Sequence, residues 1–308
     1  MSGANGSTND QGMYGSDIWR LLIVHRTELT YPDTVTTSYN EVRMQPSDEP
    51  GQAVLSSRME LDPFEGVTSY LDYFGTRVAS FDVHRPHRHL TVTATSTVET
   101  FPAAEFGPGG YGNGAAEIAT MSWEQLAASG VDDRFEEFLS PTQLTDLNDE
   151  LTGISEQLRA EAATPSDAGR AVCTMLKKSL KYEQGATGVF TSAQEAWADK
   201  RGVCQDFSHL AIGLLRAMGV PTRYVSGYLH PDKKVEIGKT VTGQSHAWVE
   251  WWDDGWRAFD PTNDTEPGDR HVVVAMGRDY NDVKPLSGIF SGSGTSRMFV
   301  DVQVTRLQ

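Results

Sequence analysis

Strand-like and helix-like segments of this 308-residue chain fall in blocks rather than in alternation, and that ordering narrows its possible folds more than any other feature. The runs RLLIVHRTELTY, AVLSSRMEL, RVASFDV and HLTVTATSTVET, all between Trp19 and Thr100, are rich in β-branched residues, alternate partially, and are bounded by Pro, Gly and Asp. Several short strands at roughly even spacing predict a β-sandwich-like module. Residues 101–114, FPAAEFGPGGYGNG, read as a breaker-rich linker; no lysine or helix signal follows to make a phosphate loop. From Ala116 to Leu158 the texture turns helical and acidic, interrupted by Pro141. Further helices are expected in SDAGRAVCTMLKKSLKY, in TSAQEAWADKRG, where Ser192 and Glu195 form a capping-box pair, and after Cys204. Strand-like runs return in TRYVSGYL, SHAWVEWW, WRAFDPT, HVVVAM and RMFVDVQVTRL. The expected class is α+β. The expected organisation is a flexible tail (1–15), a β-rich N-terminal module (16–112), a helical connection (113–165) and a core with C-terminal strands (166–308).

Composition removes several functions. A formal charge of −16 is the wrong sign for a nucleic-acid backbone. No run of about 18 apolar residues predicts a membrane-spanning helix. The first fifteen residues lack the apolar stretch of a signal peptide. Two cysteines cannot build a disulfide framework, so a reducing compartment, the cytoplasm, is expected. A hydrophobic fraction of 38% supports a sizeable core and leaves the oligomeric state open.

The two cysteines differ in setting. Cys173 lies at the margin of an apolar helical stripe and reads as structural. Cys204 follows Gly202 and opens a helix whose Phe207, Leu210, Ala211, Leu214 and Met218 recur at three and four residues, until Gly219 and Pro221 end it. In a first turn the unpaired backbone N–H groups favour negative charge. His246 opens SHAWVEWW and shares strand parity with Trp248, Glu250 and Trp252, while Asp260 ends WRAFD. If those strands form an antiparallel hairpin looped at 252–254, His246 faces Asp260; any register whose paired numbers sum to an even value keeps both on one face. Thiol, base and a group that orients the base are the parts of an activated nucleophile.

With these residues placed, TSAQEAWADKRGVCQDFSHLAIGLLRAMGVPTRYVSGYL, SHAWVEW, GWRAFDPTN and GRDYNDVKPLSG resemble the bacterial transglutaminase-like superfamily, which includes cysteine proteases. VHRTELTYPDTVTTSYNEVRMQP and HRHLTVTATSTVE resemble that family's N-terminal β module. FGTR departs from the pattern, having Thr76 where Asn is expected. The resemblance implies a papain-like α+β core, with catalytic Cys204, His246 and Asp260 and the cysteine helix packed on the sheet that carries the other two. It also offers Asp279 and Tyr280 as substrate contacts. The expected chemistry is acyl transfer from a peptide or protein amide through a thioester, without metal or organic cofactor. Water as acceptor makes a protease or amidase, an amine makes a transglutaminase, and a vestigial triad would leave a binding protein. The backbone N–H of Cys204 is the first oxyanion donor, with Tyr182 and Gln205 as candidates for the second.

Other features carry less. Trp248, Trp251, Trp252 and Trp256 fall within nine residues and suit either a substrate groove, with Trp248 as a contact, or hairpin packing. His84, His87 and His89 match no usual zinc spacing and are interleaved with Arg85 and Arg88. Asp206 is expected to face away from the cysteine and complement the helix dipole.

Overall fold

One long strand supplies two hydrophobic cores. In the computed structural model, which describes residues 18–101, 120–232 and 235–308, strand β1 (Trp19–Val35) buries Leu21, Ile23, His25, Thr27, Leu29 and Tyr31 and leaves the residues between them more exposed. The tail and nearly all of the expected linker lie outside the described residues. β1 pairs antiparallel with β6 (His87–Thr100) on one side and β15 (Arg297–Arg306) on the other. With β3 (Gln52–Asp62) and β10 (Thr240–Thr242) they form a sheet in the order β10-β15-β1-β6-β3. A second sheet runs β14-β2-β5-β4, from β14 (Leu286–Ser291), β2 (Thr37–Val42), β5 (Arg77–Val83) and β4 (Thr68–Leu71). Leu29, Tyr31, Val42, Phe81, Val83, Leu90 and Val92 close the sandwich between the two. Strands β10, β14 and β15, grouped by sequence position with the core, thus hydrogen-bond into the sheets of the N-terminal module. At the other end of the first sheet, Leu21, Ile23, Val98, Val302 and Val304 join a larger cluster that includes the helices.

That larger cluster surrounds α7 (Cys204–Ala217). Helices α1 (Trp123–Ala128), α2 (Val131–Arg134) and α3 (Glu136–Leu139) are short. The longer α4 (Asp149–Glu161) and α5 (Pro165–Ser179), with α6 (Ala193–Asp199), pack against α7. Its remaining side meets a four-stranded antiparallel sheet in the order β12-β11-β9-β13, from β9 (Thr222–Leu229), β11 (Gln244–Trp252), β12 (Trp256–Phe259) and β13 (His271–Gly277). A two-residue parallel pair, β7 (Lys181–Tyr182) with β8 (Arg201–Gly202), leads into α7. All α7 residues from Gln205 to Arg216 are buried, as in a helix enclosed on every side. A buried guanidinium must find acceptors: Arg216 donates to the carbonyls of Thr222, Ser140 and Arg278 at 2.7–3.1 Å, tying the end of α7 to β9, α3 and the segment after β13.

The module and the core meet along β13, the edge strand of the core sheet. Gln52 substitutes for a neighbouring strand: its Oε1 accepts from Val273 N–H at 2.8 Å and its Nε2 donates to Val273 C=O at 2.9 Å. Thr76 Oγ1 accepts from Met276 N–H at 3.3 Å, and Thr100 Oγ1 donates to Asp269 C=O at 2.7 Å. The Thr76 that departs from the family pattern therefore sits on this seam. Beside it, Tyr228 donates to Met44 C=O at 2.9 Å and its hydroxyl contacts His25 Nδ1 at 2.8 Å.

Gly227 of β9 stands directly opposite His246 of β11, and a Cβ there would lie 2.1 Å from Val272 C=O and 2.6 Å from the Trp248 ring. Gly227→Ala must shift backbone or an indole, at a cost of about 1–3 kcal/mol. With roughly 2–4 °C per kcal/mol for a chain of this size or smaller, thermal denaturation followed by circular dichroism is expected to show a clear loss of Tm. An unchanged Tm would show that the close approach is not needed.

Candidate functional site

Cys204 is the first residue of α7, with Val203 as its cap, and is partly exposed; Cys173 is fully buried, and burial raises its thiol pKa well above the ordinary value. Both thiols are free. Asp206 secures the start of α7 by accepting from Val203 N–H at 2.7 Å and Thr187 Oγ1 at 2.6 Å. It stands in the first turn of the helix as expected, and it is buried there. Gly202 makes the room, since a Cβ there would stand 2.6–2.8 Å from the Asp206 carboxyl and Cβ.

β11 and β12 form the predicted hairpin in a register different from the one first drawn. Val249 faces Phe259 and Trp252 faces Trp256, so the loop is Asp253-Asp254-Gly255. Asp254 holds φ 55° and Gly255 φ 157°, which places the reversal one residue later than expected. The pair sum moves by two and stays even, so His246 and Asp260 keep a common face. His246 Nε2 lies 2.6 Å from Asp260 Oδ2, and both residues are buried. The other ring nitrogen, Nδ1, is left for Cys204, which lines the same cleft and helps to raise the His246 pKa.

Asp260 gathers donors from every direction. Its Oδ1 accepts from the N–H groups of Thr262 at 2.9 Å and Asn263 at 3.1 Å, and its Oδ2 also accepts from Asn263 Nδ2 at 2.6 Å. His271, on β13, brings Nε2 to 3.4 Å from the same oxygen. Gly268 N–H donates to His271 Nδ1 at 3.2 Å, so Nδ1 is an acceptor and Nε2 carries the proton toward Asp260. Burial alone would raise the Asp260 pKa; the hydrogen bonds from His246, His271 and Asn263 outweigh it and hold the carboxyl well below its usual range. Burial likewise opposes a charge on His246, but Asp260 and Cys204 override it and raise that pKa to about 10. For His271 burial prevails and lowers the pKa, keeping the ring neutral.

Among the described residues, His246, Asp260 and His271 are the group whose ligand atoms, all within 4.8 Å of one another, could surround a metal ion. Zinc ligands at about 2.0–2.1 Å from the ion stand roughly 3.3 Å apart in a tetrahedron. The 2.6 Å separation of His246 and Asp260 is a hydrogen-bond distance and fits no ion between them. His87 of the earlier histidine cluster is likewise engaged, with Arg85 C=O at 2.8 Å and Ser38 Oγ at 3.4 Å.

A cleft opens above Cys204 and His246. Tyr182, Gln205, Tyr224, Ser245, Tyr280 and Val300 are among its lining residues. Tyr182 is 38% exposed, and burial followed by the nearby Cys204 raises its pKa. Gln205 lines the cleft while donating Nε2 to Val189 C=O at 3.0 Å. Two residues read as substrate contacts are elsewhere. Trp248 is 1% exposed and packs edge-on to His271 beneath the site. Asp279 is buried and caps the short turn Tyr280–Asp282 through Asn281 N–H. Of the other tryptophans, Trp251 is core, donating to Ser166 Oγ at 3.0 Å, and Trp252 and Trp256 pack around Phe135. Packing explains that cluster. His271 and Asn263 escaped the sequence reading: the first has no periodic relation to Asp260, whereas the side chain–backbone turn at Asp260–Asn263 has a local signature.

Raising one pKa and lowering the other gives the pair a defined pH window. The Asp260 contribution to stability is present above its unfolded pKa near 3.9 and lost as pH falls; the His246 contribution is complete below about 6.5 and lost as pH rises through about 10. Asp260→Asn is therefore expected to lower Tm most between about pH 4 and 6.5 and progressively less toward pH 10. A loss independent of pH would show that the pair is not ionised in the folded protein.

Comparison with known proteins matches the same two regions. The bacterial transglutaminase-like N-terminal region matches residues 21–99, and the transglutaminase-like superfamily core matches residues 152–261. An uncharacterized protein of Mycobacterium leprae is 41% identical over 290 residues, covering 94% of this chain and all of its own. An uncharacterized protein of Mycobacterium tuberculosis is 35% identical over 92% of each chain. A protein-glutamine gamma-glutamyltransferase of Pseudomonas aeruginosa is 27% identical over 131 residues, 39% of this chain and 19% of that one. Among solved structures, a Cytophaga hutchinsonii protein described as "a Putative Cysteine Protease" superposes with a TM-score of 0.72 at 21% identity, covering 95% of this chain and 92% of that one. The helix-on-sheet core, the N-terminal sandwich and these matches agree: the chain belongs to the transglutaminase-like superfamily.

Proposed function

We propose that this protein cleaves amide bonds of peptides or proteins by cysteine-dependent acyl transfer, with water as the usual acceptor. The observation that carries the reading is His246 held between Cys204 and Asp260, with its second nitrogen committed to a buried carboxylate. The Cys204 sulfur attacks the amide carbon as a thiolate, its proton held on His246, and the carbonyl oxygen becomes an oxyanion. As the C–N bond breaks, His246 Nδ1–H passes its proton to the departing amine, leaving a thioester on Cys204. Water, deprotonated by the now neutral His246, then attacks the thioester, and the carboxylic acid leaves as sulfur and imidazolium are restored. Asp260 keeps Nε2–H in place through both halves.

The Cys204 N–H, in the first turn of α7, has no partner further back in the helix and faces the developing oxyanion. Tyr182 is the better candidate for the second donor because it is 38% exposed on the cleft wall, whereas Gln205 is buried and its amide is drawn to Val189 C=O. Amine transfer is the second reading, favoured by the similarity to a protein-glutamine gamma-glutamyltransferase over 39% of this chain. The two free thiols fit a reducing, cytoplasmic setting, and no helix among the described residues is long and apolar enough to cross a membrane.

Cys204 should alkylate with iodoacetamide faster than a free thiol at about pH 6, and His246→Ala should remove the advantage; mass spectrometry reads this against an added unstructured cysteine peptide, the buried Cys173 staying unmodified in both proteins. Equal rates in both proteins would withdraw the activated thiol. Once a peptide substrate is found, Cys204→Ser should abolish turnover and Tyr182→Phe should lower kcat about 10²-fold at nearly constant KM. To separate the acceptors, a glutamine-containing peptide is offered with and without a primary amine. Backbone cleavage or simple deamidation supports hydrolysis; amine incorporation replaces it with the transferase reading.

A further inference from the structure

β10 and β15 run side by side and then part. Thr240 to Thr242 pair with Thr305 to Gln303, and Gly243 N–H donates to Val302 C=O at 2.8 Å. Past that bond the chain turns away from β15 and becomes β11, which carries His246 into the core sheet. Gly243 is required at the branch, since a Cβ there would stand 2.5 Å from Val304 Cγ2. The result is a fork: one arm is β11, the other is the outer edge of β15 from Val302 back to Met298. The reactive cleft is the space between the arms, lined on one side by Gln244, Ser245 and His246 and on the other by Val300, Asp301 and Val302, with Cys204 at its floor.

The main-chain direction on the β15 arm follows from alternation. Val302 C=O points outward, to Gly243, so the N–H and C=O groups of Val300 and Met298 point outward as well, while those of Asp301 and Phe299 face β1. Among the described residues nothing pairs with the outward groups of Val300 and Met298. Met298, Phe299 and Val300 also leave 54%, 60% and 45% of their surface exposed. An uncovered strand edge with exposed apolar side chains invites another strand. At about 3.3 Å per residue, the stretch from Met298 to Val302 is roughly 13 Å long, room for four or five residues of an extended peptide.

Building on the acyl-transfer reading, we infer that an extended, unfolded segment of the substrate polypeptide adds to this edge as a strand, in line with β10, and is thereby laid across Cys204. The occupant is set by continuity: the protein's own β10 already pairs on the same edge, and the unpaired remainder opens into the cleft rather than onto an outer surface. Main-chain pairing makes the site tolerant of side-chain identity and demands a segment free of secondary structure.

Val300→Pro tests this, because it removes one outward N–H and leaves the β1 ladder intact, and proline is accepted at a strand edge. The probe is fluorescein-labelled casein, a largely unfolded protein, whose binding to the Cys204→Ser protein is read by anisotropy; binding does not depend on catalysis, so failure here is distinct from failure of the acyl-transfer reading. Val300→Pro is expected to weaken binding about tenfold, or about 1.4 kcal/mol, because one pairing N–H is lost, and Val300→Ala to leave it within about threefold. Equal losses in both variants would assign the effect to the side chain and overturn the proposal, as would unchanged binding in Val300→Pro. As a measurement independent of variant folding, amide hydrogen exchange at Met298 and Val300 should slow when casein is added to the Cys204→Ser protein. No slowing at saturation, or no casein binding at all, overturns it. So does slowing with protein concentration alone, accompanied by a dimer in sedimentation, since the edge then belongs to a second copy of the chain.

Discussion

Every other property of the site depends on one buried carboxylate. Taking Asp260 out of water would by itself favour the neutral acid, which could neither hold a cation nor fix a ring. Two backbone N–H groups, the Asn263 amide and His271 replace the lost hydration. Once ionised, the carboxylate makes a charged His246 tolerable in the interior, and the charge together with the short Nε2 hydrogen bond directs Nδ1 at Cys204. His271 is useful here because it is neutral: it donates a hydrogen bond to the shared oxygen without competing for the charge.

The N-terminal sandwich is bound to this arrangement through the strand that carries His271. A sheet edge left open would fray or pair with another chain. Here the Gln52 side chain supplies the donor and acceptor that a neighbouring strand would have given to Val273, and Thr76 and Thr100 hold the strand on either side of that point. The module therefore acts as the missing fifth neighbour of the core sheet without extending it. Its β15 forms one wall of the cleft, which gives it a direct place beside Cys204 and His246.

Much of this was legible because it is local. The start of α7 at Cys204 follows from Gly202 and the apolar stripe behind it. The common face of His246 and Asp260 follows from strand parity, which survived an error of one residue in the loop because an even pair sum was all it needed. Parity also placed Trp248 with His246, but could not tell that the space beside it is closed by β9 and His271. What periodicity cannot report is which strands are neighbours. His271 reaches Asp260 only because β13 pairs with β9, and β9 with β11; Gln52 meets Val273 across 221 residues of sequence. The strand character of β15 was readable, while the sheet it joins was not, and β14, with Gly288 in its short run, was not read as a strand at all.

The placement of β15 has a consequence for how the protein comes into being. A ribosome delivers β1 before β15, with the helical core between them. Domains ordinarily fold in the order they emerge, yet here the first sheet stays open along one side of β1 until the final strand arrives. Val300 to Val302, which wall the cleft, lie on that late-emerging strand. A nascent chain can thus carry Cys204 well before the β15 wall of its cleft exists.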